Sequence, residues 1–195
     1  FFTHLNTLVE EHIPGLPGDV FIKNYLFASD TNPIRLAKEF VKFNERCFVR
    51  LLGDMRSYNY VVDITPDFDD VQYRIRAIDF DQQSYEGKKS LYLPQFFKEN
   101  NAIVELCTKL LTKESFEQYR NEERSLISRR VRLSRYKIKD LMDVMVKDSI
   151  STDEKTEHLK KELIKHYKND VFLKCRSMGE LVKKSLVMLL KDSKH

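Results

Sequence analysis

The sequence predicts an α+β fold that is mostly α, with one small β-hairpin ahead of a helical C-terminal half. Three observations predict it. Beyond about residue 94, apolar residues recur at helical spacing with few breaks. Residues 60–64 and 71–78 read instead as strands flanking the polar stretch Thr65-Pro66-Asp67-Phe68-Asp69-Asp70. Finally, a chain of 195 residues with 42% apolar and 33% charged residues can bury a full core. No internal repeat or low-complexity linker divides it, so residues 1–195 read as a single domain.

In chain order, Phe2, Leu5, Leu8 and Val9 follow helical spacing and predict a helix over residues 2–12. Ile13-Pro14-Gly15-Leu16-Pro17-Gly18-Asp19 breaks it and reads as a turn. It matches neither phosphate-cradling glycine pattern, and its prolines remove amides such a loop needs. Asn32-Pro33 supplies a cap and an N1 proline for the next helix. That helix directs Ile34, Leu36, Ala37, Phe40, Val41 and Phe43 to a core and runs to about Cys47. Residues 48–52 then lead into Gly53-Asp54. In the second strand, Val71, Tyr73 and Ile75 alternate with Gln72, Arg74 and Arg76. A hairpin of this kind places Asn59 and Asp79 together at its open end. Five helices follow, marked by Ile103 and Leu106, by residues 116–133, by Ile138 and Met142, by residues 153–168 and by residues 178–191.

Composition excludes several classes. The longest apolar runs fall short of a membrane span, and Phe1-Phe2-Thr3-His4 does not open a signal peptide. Cys47, Cys107 and Cys175 are odd in number and far apart, which predicts reduced thiols in a cytoplasmic protein. His158 and His166 have no cysteine partners nearby, so a zinc site is not expected. The net charge of +4 disfavours a dedicated nucleic-acid binder. The basic run Arg120, Arg124, Arg129, Arg130, Arg132, Arg135, Lys137 and Lys139 accordingly reads as a charged helix surface, with Leu126, Ile127, Val131 and Leu133 facing inward. Gripping a nucleic acid is the competing use of that run.

One arrangement suggests chemistry. Gly53-Asp54-Met55-Arg56-Ser57-Tyr58-Asn59 precedes the run Tyr60-Val61-Val62, and Ile78-Asp79-Phe80-Asp81 follows the second strand. Phosphoryl transfer needs an acceptor hydroxyl pointed in line and charge neutralised on the phosphates. An Asp suits the hydroxyl proton, an Asn and an Asp offer hard oxygen ligands to Mg²⁺, and Arg56 is spaced to reach the transferred group. Asp63, Asp67, Asp69 and Asp70 lack the glycine and terminal glutamate of an EF-hand and read as a solvated turn.

These two motifs resemble the catalytic loop and metal motif of the protein-kinase-like superfamily, closest to its aminoglycoside and choline phosphotransferase branch. That branch carries a G-D-x-x-x-x-N loop ahead of a short strand, and an acidic residue in place of the glycine of D-F-G. The resemblance implies a kinase-like C-terminal lobe that works with ATP and Mg²⁺. It implies Asp54 as catalytic base and Arg56 as a phosphate contact. Asn59 and Asp79 become the metal and cofactor ligands, and Asp81 a further metal contact. Leu52 stands where the family usually has histidine, and the Asn59–Asp79 interval is longer than common, which the 65–70 turn is expected to account for. The resemblance also implies an ATP-binding lobe upstream of residue 1, since a Gly-rich loop and strand lysine are not found here. Expected partners are a nucleotide and a hydroxyl-bearing small molecule or protein. The alternative is a kinase-derived helical domain or pseudokinase that binds a protein partner without catalysis.

Overall fold

A computed structural model describes residues 12–68, 70–149 and 151–192. The helix expected over residues 2–12 lies outside these except for His12, which is not helical, and the turn residue Asp69 lies outside them too. Three strands, β1 (Leu16–Pro17), β2 (Tyr60–Asp67) and β3 (Asp70–Ala77), form an antiparallel sheet in the order β1-β2-β3. The helices are α1 (Gly18–Asn24), α2 (Pro33–Arg50), α3 (Asn101–Leu110), α4 (Lys113–Leu133), α5 (Arg135–Met145), α6 (Asp153–Tyr167) and α7 (Met178–Asp192). The expected class, α+β and mostly helical with a small antiparallel sheet, is what the chain adopts.

Helix α2 starts where the sequence places it. The Asn32 side chain accepts from the Arg35 amide, satisfying one of the orphan donors of the first turn. The helix runs three residues past Cys47, because Phe48 and Val49 bury as helical residues against the C-terminal helices rather than leaving as an extended run. A short apolar stretch carries no period that separates the two outcomes. Leu51 ends the helix in the left-handed region (φ 49°), its amide bonding Cys47 and Phe48 carbonyls. Ile34, expected in the core, lies on the solvent side of the first turn and is exposed.

The free edge of β3 is covered by charged side chains of α2. Glu39 Oε1 accepts from the Ile75 amide at 2.9 Å, while Arg46 Nη2 donates to the Ile75 carbonyl at 3.0 Å. Arg46 and Glu39 also pair with each other at 2.5 Å. Arg35 reaches the Val71 carbonyl at 3.2 Å. Backbone groups that would otherwise template another strand are thereby satisfied. Tyr73 and Ile75 are buried and Gln72 and Arg76 exposed, as the alternation requires.

The hairpin differs from expectation at its tip. The strands continue to Asp67 and Asp70, which pair directly, with Phe68 in the left-handed region (φ 45°) at the tip. The long Asn59–Asp79 interval is therefore strand rather than turn. Cross-links extend the ladder: Asp67 and Asp70 bond Arg35, and Asp63 bonds Arg76. The segment expected as a plain turn at 13–19 also forms more structure. Leu16 and Pro17 pair with Val62 and Val61. A Cβ on Gly18 would meet the Tyr60 ring at 2.2 Å and the Ser57 carbonyl at 2.4 Å, so only glycine lets α1 approach the loop.

Two hydrophobic cores meet along α2. One joins Phe21, Phe40, Phe43, Tyr60, Ile75 and Ile103 between the sheet, α1 and α3. The other joins Phe48, Ile127, Met142, Leu159, Phe172 and Leu181 between α2 and α4–α7. Cys47, Cys107 and Cys175 are free and buried, and burial pushes the Cys47 and Cys107 thiols up to about 12. Among the described residues, no helix is long and apolar enough to cross a membrane.

Candidate active site

The Gly53-Asp54 loop is held against the segment that follows Asp79. Leu52 bridges to Gln83, the Ser84 amide bonds the Leu51 carbonyl at 2.7 Å, and the Gly53 amide bonds the Gln82 carbonyl at 3.3 Å. A Cβ at position 53 would sit 2.8 Å from that same Gln82 carbonyl. The glycine of the Gly-Asp pair is thus required by the close approach of two backbones, not by its own torsions. Asp54 follows in the left-handed region (φ 54°), its amide bonded to the Leu91 carbonyl. Such a torsion costs a non-glycine residue roughly 1–2 kcal/mol, though Asp is among the residues that tolerate it best.

Within the loop, Asn59 reaches back to Asp54. Its Nδ2 donates to the Asp54 carbonyl at 2.7 Å and to the Asp54 carboxylate at 3.3 Å. Arg56 Nε donates to the other carboxylate oxygen at 2.8 Å, and its Nη1 reaches Glu99 at 3.1 Å. The guanidinium also lies over the Phe97 ring. The bond to Asp54 holds the Arg56 pKa above its usual value. Glu99 is held below the usual carboxylate range, first by its own backbone amide and then by Arg56. Asp54 and Arg56 remain partly exposed while Asn59 is buried. The catalytic and ligand candidates of residues 54–59 therefore form one bonded cluster.

The downstream motif arrives through the hairpin register. Tyr60 pairs with Ala77, and the Ile78 amide bonds the Asn59 carbonyl at 3.0 Å. Asp79 is the next residue, so the open end of the hairpin carries Asn59 just before β2 and Asp79 just after β3. Asp79 is partly buried, and its Oδ1 accepts from the Asp81 amide at 3.1 Å. Asp81 is exposed, and its carboxylate faces Gln82 at 3.5 Å.

Sequence reasoning missed Glu99 and Asn100. Asn100 is fully buried: it donates to the Met55 and Pro94 carbonyls and accepts from the Tyr60 hydroxyl at 2.9 Å. It ties the loop and β2 to the start of α3. Burial raises the Tyr60 pKa, so this hydroxyl stays a donor. Both residues sit in the polar run Lys98-Glu99-Asn100-Asn101, which looks like any loop and carries no motif.

Asn59 spends its Nδ2 on Asp54, and its Oδ1 accepts no hydrogen bond from a described residue. One amide oxygen and the carboxylate of Asp79 suit Mg²⁺, which takes one or two protein ligands and completes its shell with phosphate and water. Among the described residues no group of three His, Cys, Asp or Glu side chains gathers as a cage. His158 bonds the Gly87 carbonyl and His166 meets the Phe48 ring, so both have packing roles.

The basic run divides. Arg120 and Arg124 bond the buried Glu45 at 3.0 and 2.6 Å, holding α4 on α2. Arg129, Arg132 and Arg135 are exposed on the helix surface. Of its apolar residues, Ile127 and Val131 face inward, whereas Leu126 and Leu133 are exposed because they fall off that face. Glu123, fully buried beside Arg46, takes the position the pattern gives to an apolar residue.

No protein-family model matches the chain, and comparison with curated proteins and with solved structures likewise finds no match.

Proposed function

We propose that this chain is the catalytic part of an ATP- and Mg²⁺-dependent, kinase-like phosphotransferase acting on a hydroxyl of a small molecule or protein. The observation that carries the reading is the bonded cluster of Asp54, Arg56 and Asn59, joined through the Ile78–Asn59 hydrogen bond to Asp79. In this reading Asp54 orients the acceptor hydroxyl and takes its proton as the new O–P bond forms and the bond to the departing ADP oxygen breaks. Arg56 lies two residues from that base, close enough to turn from Glu99 to a phosphoryl oxygen. Asn59 and Asp79 would hold Mg²⁺, with Asp81 beside them; bound there, the ion neutralises charge on the ATP phosphates. Asn59 also fixes the base, since its amide bonds the Asp54 backbone and carboxylate together.

A second reading has its own observation. Arg56 and Asn59 engage both Asp54 carboxylate oxygens, which suits a kinase-derived module that binds nucleotide or a protein partner without transfer. Measuring ATP affinity and ADP production with Mg²⁺ and with chelator separates the two. The enzyme reading expects both to depend on Mg²⁺, with Asp54→Asn keeping affinity and losing turnover. Mg²⁺-dependent binding with no ADP from the wild type supports the module. Unchanged affinity and transfer in Asp79→Ala contradicts both.

A further inference from the structure

A cleft of about 730 Å³ opens between β3, the C-terminal end of α2, and helices α4, α5 and α7. Five guanidinium groups line it: Arg46, Arg50, Arg74, Arg76 and Arg130. The opposite wall is apolar, formed by Ile127, Ile138, Met142 and Leu186. Three carboxylates lie within ion-pair distance of these arginines: Glu39 and Glu123 serve Arg46 and Arg74, and Asp63 serves Arg76. Arg50 and Arg130 have no carboxylate partner among the described residues; Arg50 Nε bonds only the Arg46 carbonyl.

The arrangement is costly as it stands. Like charges gathered beside an apolar wall repel one another, most strongly around the buried Arg46, while Arg50, Arg76 and Arg130 reach solvent. Arg50 and Arg74 are both held below the usual arginine pKa, first by desolvation and then in part by Arg46 and Arg130. Arg46 has a side chain only 5% exposed, and its Nη1 is paired with the fully buried Glu123 carboxylate at 3.3 Å. Arg50 and Arg130, guanidiniums at the rim without a carboxylate partner among the described residues, call for an anion. The apolar wall calls for a ligand with an apolar body. The volume lies in the range of small-molecule sites.

We propose that this cleft binds an organic phosphate, with its phosphate on Arg50 and Arg130 and its apolar part on the α5–α7 wall. Planar guanidiniums suit phosphate oxygens through paired hydrogen bonds. The inference stands apart from phosphoryl transfer at Asp54, and neither requires the other. Phe80, between Asp79 and Asp81, lines the same cleft, so an occupant would touch the downstream motif.

The probe is 1-anilinonaphthalene-8-sulfonate, whose aromatic body and fixed anion reproduce the two halves of the ligand, followed by fluorescence with pyrophosphate as competitor. The folded wild type is expected to bind the dye at one site, release it to pyrophosphate, and bind more weakly as salt rises. Charge-assisted bonds of this kind predict about a tenfold loss or more for Arg50→Gln with Arg130→Gln, and no change for Arg129→Gln, which lies outside the cleft. Unaltered melting temperatures show that the variants are folded, and each single variant serves if the double is not. Equal affinity in the wild type and the folded cleft variants overturns the proposal. Displacement by laurate but not by pyrophosphate overturns the assignment to a phosphate.

Discussion

At the residue scale, Asp54 and Gly53 separate chemistry from folding. Asp54 holds a left-handed torsion that glycine adopts without strain. Its partly exposed ion pair with Arg56 contributes at most about 1 kcal/mol. Asp54→Gly is therefore expected to change stability by no more than about 1 kcal/mol in denaturant unfolding while abolishing transfer. A large destabilisation with transfer retained would make Asp54 a structural residue. Gly53→Ala has the opposite profile: its Cβ must displace the Gln82 carbonyl, so the loop separates from the Asp79–Asp81 segment. We expect lower stability together with weaker Mg²⁺-dependent nucleotide binding. Asn100→Ala leaves the Met55 carbonyl and the Tyr60 hydroxyl without a partner, while the Pro94 carbonyl keeps the Phe97 amide, and is expected to cost about 3 kcal/mol.

At the element scale, α2 organises the molecule through charge as well as apolar contact. Removing Glu39 leaves the buried Ile75 amide unpaired and Arg46 with Glu123 and the Ile75 carbonyl only, and Glu39→Ala should cost about 3 kcal/mol in urea unfolding. A loss below 1 kcal/mol would show that the β3 edge is held otherwise. A surface counterpart titrates. Glu122, bonded first by Lys42 and also by Gln118 and Lys38, has its pKa lowered to about 2. Because the folded value lies below the unfolded one, its stabilisation is full above about pH 4.5 and is lost as pH falls toward 2. Glu122→Gln should flatten that part of the pH–stability curve, and an unchanged curve would remove Glu122 from the account. These elements were unequally legible. The α2 cap and the five C-terminal helices could be read because Asn32-Pro33 and the apolar periods are local signals. The end of α2, the β1 pairing and the buried Glu123 could not, because each depends on a partner distant in sequence.

At the scale of the whole molecule, the hairpin turns two motifs twenty residues apart into neighbours. That much was readable: strand alternation put Asn59 and Asp79 at one end, and the Ile78–Asn59 bond places them there. Why Gly53 must be glycine was not readable, since the carbonyl it makes room for belongs to Gln82. Nor was the arginine cleft, whose five guanidiniums come from α2, β3 and α4. The central claim is that Asn59 and Asp79 hold a metal on a nucleotide. Titrating ATP into the protein with Mg²⁺ and with chelator, in wild type and in Asp79→Ala, tests it most directly. The account predicts Mg²⁺-dependent affinity in the wild type that falls at least about tenfold in Asp79→Ala, the scale of one lost charge-assisted contact. Equal affinity in both proteins, or affinity indifferent to Mg²⁺, would contradict it.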